Sequence, residues 1–254
     1  DTASPAAQLV NPSPGINSLV WRVSSEYGAC PVSMDTVEYF VDLTPGNAFA
    51  GSDARFCEVN TYTFSANPPL NGGQGEWQVI SGSNNFSDIH DPEAQVSNLP
   101  GGESQYLWTL ESQYGLCPSS AETVTLTRDL SPGLADAGPD ISLCLENSDT
   151  LQANAPAFGS GEWEVLVNPS GTAPVFNPGI YTPDALITVL PGNEGDYLLQ
   201  WTLQNGTCIT RDTMHIDFGI PPPPGFAGSD STICGLHTWL QSNTFAQGHG
   251  MWTQ

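Results

Sequence analysis

One stretch occurs three times and fixes what this chain can fold into. Tyr106-Leu-Trp-Thr-Leu-Glu-Ser-Gln-Tyr-Gly-Leu-Cys117 has an earlier copy, Leu19-Val-Trp-Arg-Val-Ser-Ser-Glu-Tyr-Gly-Ala-Cys30, and a later one, Leu199-Gln-Trp-Thr-Leu-Gln-Asn-Gly-Thr-Cys208. Each copy reads as a strand carrying a tryptophan, a turn at glycine, and a cysteine that opens a further strand (Asp35-Thr-Val, Glu122-Thr-Val, Asp212-Thr-Met). The tryptophans Trp21, Trp108 and Trp201 stand 87 and 93 positions apart. A hydrophobic anchor recurring at such a period marks a tandem array of repeats.

Further motifs recur in the same register. Ala50-Gly-Ser-Asp53, Ala137-Gly-Pro-Asp140 and Ala227-Gly-Ser-Asp230 open a repeat, each followed four residues later by Cys57, Cys144 or Cys234. A short alternating strand comes next (Thr61-Tyr-Thr-Phe-Ser-Ala, Thr150-Leu-Gln-Ala, Thr238-Trp-Leu-Gln), then Gly-x-Gly-x-Trp ending at Trp77, Trp163 and Trp252. The glycines read as turn backbone and the tryptophan as the start of the next strand. Loop-rich stretches (residues 81–91 and 168–181) lead to Ala94-Gln-Val-Ser-Asn-Leu and Ala185-Leu-Ile-Thr-Val-Leu, each closed by Pro-Gly. Before the first full repeat, Ala7-Gln-Leu-Val and Thr36-Val-Glu-Tyr-Phe-Val also read as strands.

This register divides the chain into residues 1–44 (the C-terminal part of a repeat), 45–131 and 132–222 (complete repeats), and 223–254 (an N-terminal part). Six or seven short alternating strands, with turn signals at intervals of about 8–12 residues in a repeat of about 90, predict an all-β chain. The expected architecture is a row of immunoglobulin-like β-sandwiches arranged end to end. Each repeat has one tryptophan near strand C and one on strand F, neighbours in such a sandwich. Trp21, Trp77, Trp108, Trp163, Trp201 and Trp252 are therefore expected in cores, against a competing reading as aromatic platforms for a ligand.

Charge narrows the partners. Lys and Arg total 4 against 27 Asp and Glu, and all four cations are arginines (Arg22, Arg55, Arg128, Arg211). A net charge of −23 argues against nucleic acid or an anionic membrane, which basic patches recognise. It suits solubility, self-repulsion along an extended rod, and divalent cations. Only 12% of residues are charged, so Ser, Thr, Asn, Gln and Gly must supply much of the surface, which favours an extracellular protein. No run of 18 apolar residues and no charged-then-apolar leader occurs, so membrane insertion of this segment is not expected.

The six cysteines fall two to a repeat, with no C-x-x-C and no histidine at matching spacing. Disulfides of an oxidising compartment are a better reading than zinc. Three pairings stand open. Within a repeat, Cys57 would join Cys117 and Cys144 would join Cys208. Across the linkers, the pairs would be Cys30–Cys57, Cys117–Cys144 and Cys208–Cys234. In the third scheme Cys57–Cys208 staples adjacent repeats and leaves the other four to partners outside these residues.

Aspartates also gather at the joints: Asp42, Asp129 and Asp217 end a repeat, and Asp53, Asp140 and Asp230 begin one. Carboxylates there could hold Ca²⁺ and stiffen the chain. The absence of a dense D-x-D-x-D loop favours local turn chemistry instead. Nothing supports catalysis: Glu76 and Glu162 recur before their tryptophans, but Met251 takes that place in the third copy. His90, His215, His237 and His249 occupy unmatched positions, and neither a nucleophile elbow nor a phosphate loop is present.

The ordered set Ala-Gly-x-Asp-x(3)-Cys, Gly-x-Gly-x-Trp, Leu-Pro-Gly, Tyr-x-Leu-x-Trp-Thr, Asn-Gly-x-Cys, Asp-Thr-Val resembles the PKD-like repeats of giant Bacteroidota surface proteins, among them the SprB-type gliding-motility adhesins. It spans essentially the whole chain, with Glu122 and Met251 as departures. The resemblance implies type IX secretion, cell-surface display and a role in adhesion or gliding, with the secretion and motility machinery and neighbouring repeats as partners. Asp-Thr before an apolar residue is similar to the Bacteroidota O-glycosylation signal, which would place sugars on Thr2, Thr36, Thr150 and Thr213. The expected function is non-enzymatic: an extended stalk that also offers an adhesive surface to polysaccharide or abiotic material. Two rivals remain, a carbohydrate-binding array using exposed Tyr27 and Tyr114, and the stalk of a large extracellular enzyme.

Overall fold

A computed structural model describes residues 3–28, 30–244 and 249–253. Thr2 lies outside the described residues. The chain divides into two compact units, Asp1–Leu130 and Ser131–Gln254.

The first unit opens with an antiparallel hairpin of β1 (Gly15–Val23) and β2 (Ser33–Val41), paired along their full length. Seven strands follow: β3 (Ala54–Cys57), β4 (Thr61–Thr63), β5 (Gln74–Ser81), β6 (Asn85–Phe86), β7 (Gln95–Ser97), β8 (Gly102–Glu111) and β9 (Ser120–Asp129). They form one sheet in the order β3-β9-β8-β5 and another in the order β4-β7-β6. All pairings are antiparallel except β3 with β9.

The second unit repeats this plan with β10 (Ile141–Cys144), β11 (Ser148–Thr150), β12 (Ser160–Val167), β13 (Val175–Asn177), β14 (Leu186–Thr188), β15 (Gly195–Asn205) and β16 (Cys208–Gly219). Its sheets are β10-β16-β15-β12 and β11-β14-β13, again with only the first strand parallel to the last. A four-stranded and a three-stranded sheet in this order make an immunoglobulin-like sandwich. No helix occurs among the described residues.

Period-two alternation puts every second side chain of the long strands inside. Tyr106, Trp108 and Leu110 of β8 are buried, as are Tyr197, Leu199, Trp201 and Leu203 of β15. Each core centres on two tryptophans that stand directly opposite across a strand pair, Trp77 with Trp108 and Trp163 with Trp201. Their ring centroids lie 4.9 and 5.0 Å apart. Burying one such ring removes roughly 150–250 Å² from water, an upper estimate of about 4–6 kcal/mol. None of the four indole N–H groups is orphaned. They donate to the carbonyls of Asp91, Asn67, Thr182 and Asn154 at 3.0–3.1 Å.

The Gly-x-Gly-x-Trp motif has a different cause from the expected turn. Gly75 and Gly161 sit inside β5 and β12, each beneath the tryptophan of the neighbouring strand. A Cβ on Gly75 would stand 2.3 Å from the Trp108 ring, and one on Gly161 would stand 2.2 Å from the Trp201 ring. These glycines are bare so that an indole can lie across the backbone.

Other expectations need correction. Trp21 and Trp252 are 43% and 51% exposed. Among the described residues neither has an opposing tryptophan strand: β1 pairs with β2 alone, and Trp252 lies outside any strand. Residues 7–10 and 238–241 form no strand and have no antiparallel neighbour among the described residues. Conversely, β3 and β10 arise where only an opening motif was read, and β6 and β13 lie within stretches read as loop.

Gly75→Ala is expected to destabilise the first sandwich by about 3 kcal/mol or to unfold it, because the ring and the backbone cannot both stay in place. Denaturant unfolding followed by tryptophan fluorescence checks this, and a variant that unfolds like the parent contradicts it.

Candidate functional site: the joint between hairpin and sandwich

Polar residues gather where a repeat begins and where its neighbour's last strand ends. At the opening of each sandwich an asparagine ties the incoming chain to the core. The Asn67 carboxamide donates to the Asn47 carbonyl at 2.9 Å and accepts from the Phe49 N–H at 2.7 Å, while its own carbonyl receives the Trp108 indole. Asn154 does the same with Leu134, Asp136 and Trp201. Asn243 repeats the two carboxamide bonds with Pro224 and Phe226. Sequence reasoning missed this residue, although it recurs ten, ten and nine positions after the opening cysteines Cys57, Cys144 and Cys234.

Two carboxylates complete the docking of each opening segment. Glu122 accepts the Ala50 N–H at 2.7 Å, and Asp212 accepts the Ala137 N–H at 2.8 Å. The longer Glu122 makes the same bond as its aspartate counterpart. Asp53 accepts from the Thr125 N–H at 2.7 Å and Asp140 from the His215 N–H at 2.8 Å, just where β3 and β10 begin to pair with the last strand. The aspartate of Ala-Gly-x-Asp thus starts a parallel strand pair.

The hairpin meets the first sandwich at Asp42, one residue beyond β2. Its Oδ2 accepts from the Ser112 hydroxyl at 2.6 Å and from the Leu116 N–H at 2.9 Å, both in the turn between β8 and β9. Ser112 is itself buried and accepts the Cys117 N–H at 3.2 Å. Beside this network Tyr114 packs edge-on against Phe40, with ring centroids 4.8 Å apart. Partial desolvation pushes the Asp42 carboxyl up, but hydrogen bonds from Ser112 and from the N–H groups of Leu116, Leu43 and Cys117 outweigh it. They hold the group below its ordinary value of 3.8.

Asp129, the last residue of β9, stands where Asp42 stands just after β2. It is 6% exposed and takes a two-pronged bond from Arg55 at 2.8 and 2.9 Å. The expected third equivalent, Asp217, is displaced by two residues. Cys57 pairs opposite Asp129 and Cys144 pairs opposite Gly219, so Gly219 holds that place. Strand register, rather than a shared residue type, sets the equivalence. Asp217 lies within β16, and Asp230 is exposed in the final segment. Among the described residues no three His, Cys, Asp or Glu side chains gather as a metal site would require.

Cys57 and Cys208 are in disulfide form, whereas Cys30, Cys117, Cys144 and Cys234 are free thiols. This set excludes the pairing within each repeat and the pairing across every linker, because both need Cys117 and Cys144 oxidised. Of the three schemes only Cys57 with Cys208 is compatible with it.

The remaining candidates are spread over the surface. Glu76 and Glu162 are exposed, because alternation sends the adjacent Trp77 and Trp163 inward. Thr36, Thr150 and Thr213 are exposed on β2, β11 and β16. Tyr27 is 89% exposed, whereas Tyr114 is engaged by Phe40.

No protein-family model matches the chain, and no curated protein does. Solved structures of tandem immunoglobulin domains resemble it at low identity. Titin domains I67–I69 are 11% identical, with 80% of this chain and 75% of that one covered and a TM-score of 0.44. Extracellular domains 3–5 of Drosophila OTK are 10% identical, covering 74% and 69% at a TM-score of 0.49. Immunoglobulin domains 1–5 of Sidekick-1 are 10% identical, with 82% of this chain but only 47% of that one covered and a TM-score of 0.48.

The depressed Asp42 carboxyl gives the joint a pH dependence of definite sign. A group held lower in the folded state contributes stability that is complete above its unfolded value and fades as pH falls through the folded one. Acidification below about pH 4 is therefore expected to loosen the hairpin, and Asp42→Ala to loosen it at neutral pH. Limited proteolysis between β2 and β3 checks both, with faster cleavage expected; unchanged cleavage contradicts the role of Asp42.

Proposed function

We propose that this chain is a non-enzymatic segment of a long extracellular protein, in which immunoglobulin-like sandwiches succeed one another as a stalk. The observation that carries this reading is the Asp42 joint. A strand end from one repeat is fastened by hydrogen bonds to the turn of the next, and an edge-on aromatic contact covers it. The oxidised Cys57 and Cys208 suit an oxidising compartment outside the cytosol. The acidic surface keeps such a chain soluble and discourages anionic partners.

The finer reading is a cell-surface adhesin, used in attachment or gliding and exported by the type IX route. It is supported by the ordered repeat motifs. Sugars on exposed Thr36, Thr150 and Thr213 belong to the same reading. Calcium is not required by it. Asp42, Asp53, Asp129 and Asp140 already accept protein hydrogen bonds, so a chelator is expected to leave stability unchanged.

The rival carbohydrate array makes a separable claim about aromatics. Tyr114 already has a protein partner in Phe40, which favours a joint role for it. Binding of the chain to a panel of polysaccharides tests the choice. The stalk reading expects no saturable binding and a looser hairpin in Tyr114→Ala. Saturable binding lost in Tyr27→Ala, with the fold intact, would establish the rival. Antibody raised against the chain is expected to label intact cells of the source, and labelling only after permeabilisation would contradict surface display.

A further inference from the structure

We propose that Cys117 forms a disulfide with the cysteine of an opening strand that lies on β2. This rests on the tandem-repeat reading above. The register of the sheets supplies the geometry. β3 lies parallel on β9 with Cys57 opposite Asp129, and β10 lies on β16 with Cys144 opposite Gly219. β2 is the counterpart of β9: Asp35 stands where Glu122 stands, and Asp42 where Asp129 stands. An opening strand placed on β2 in that register brings its cysteine opposite Asp42.

Asp42 is also where the next repeat's turn is held. It binds the Leu116 N–H directly, and through the Ser112 hydroxyl it fixes the Cys117 N–H. The backbone of Cys117 and the arriving cysteine are thus both placed beside Asp42, as a bridge with Cα atoms within about 7 Å demands.

An independent observation comes from the oxidised cysteines. Cys57 is an opening-strand cysteine, and Cys208 is the turn cysteine of the following repeat. The two kinds of cysteine found oxidised, one on an opening strand and one in a turn, are thus the same two kinds as the proposed partner and Cys117. The same rule assigns each free thiol a partner outside these residues: Cys30 and Cys117 in earlier repeats, Cys144 and Cys234 in later ones. Formation of each bridge removes two thiol protons and two electrons. The disulfide of a thiol-oxidising protein takes them up and leaves as a dithiol.

The test is a peptide map of the intact protein from its source, with thiols alkylated before any reduction. Pepsin is the suitable protease, because the chain has four arginines and no lysine. The expected result is a Cys117 peptide linked to a peptide bearing Ala-Gly-x-Asp-x(3)-Cys that is absent from residues 1–254. Cys117 recovered alkylated, or linked to Cys57 or Cys144, overturns the proposal. If further copies of the opening motif are then present, the tandem reading survives without its bridges. If no further copy is found anywhere in the protein, that reading fails as well.

Discussion

Everything in a repeat follows from two indoles meeting across one strand pair. Trp77 opposite Trp108, and Trp163 opposite Trp201, fill the middle of a sandwich, with Phe64 and Tyr106 or Tyr197 and Phe218 buried in the same cores. That contact dictates a bare backbone at Gly75 and Gly161, since any side chain there would occupy the ring's place. It also dictates a carbonyl for each indole N–H, because an orphaned buried donor costs about 1–3 kcal/mol. The carbonyls of Asn67 and Asn154 serve this need while their carboxamides hold the incoming chain. The core and the opening of the repeat are therefore one hydrogen-bonded system.

The same economy governs the joint. Strand β2 ends in open chain, and the turn between β8 and β9 has backbone donors with no ladder to enter. Asp42 answers both needs by accepting Ser112 and Leu116, and the Phe40–Tyr114 contact shields the bonds on one side. A carboxylate suits the place because it offers several acceptor sites to donors arriving from different directions. Asp53 and Asp140 register strands, Asp42 fastens a turn, and Asp129 takes a two-pronged bond from Arg55.

The sequence disclosed the fold through its periodicities. The recurring Trp strand gave the repeat length, and alternation around Tyr106, Trp108 and Leu110 gave the inward face. Three things were hidden. The parallel strands β3 and β10 are four residues each, too short to show alternation, and they exist only because β9 and β16 offer an edge. Asn67 and Asn154 carry no sequence signal of their role, since nothing in a single letter shows that a carboxamide faces two backbone groups at once. Asp217 matches Asp42 and Asp129 as a carboxylate but not in strand register, as the pairing of Cys144 with Gly219 shows. The burial of Trp21 and Trp252 failed for a different reason. Their motifs are intact, but a motif buries its ring only when the strand opposite is supplied.

One repeat, with its paired indoles, should fold by its own contacts, and residues 45–131 expressed alone under reducing conditions put this to the test. The expected result is one cooperative unfolding transition by both circular dichroism and fluorescence, with the blue-shifted emission of buried tryptophan before it. Gradual unfolding with water-exposed emission from the outset would contradict it, and would mean that the sandwich depends on its neighbours for its core.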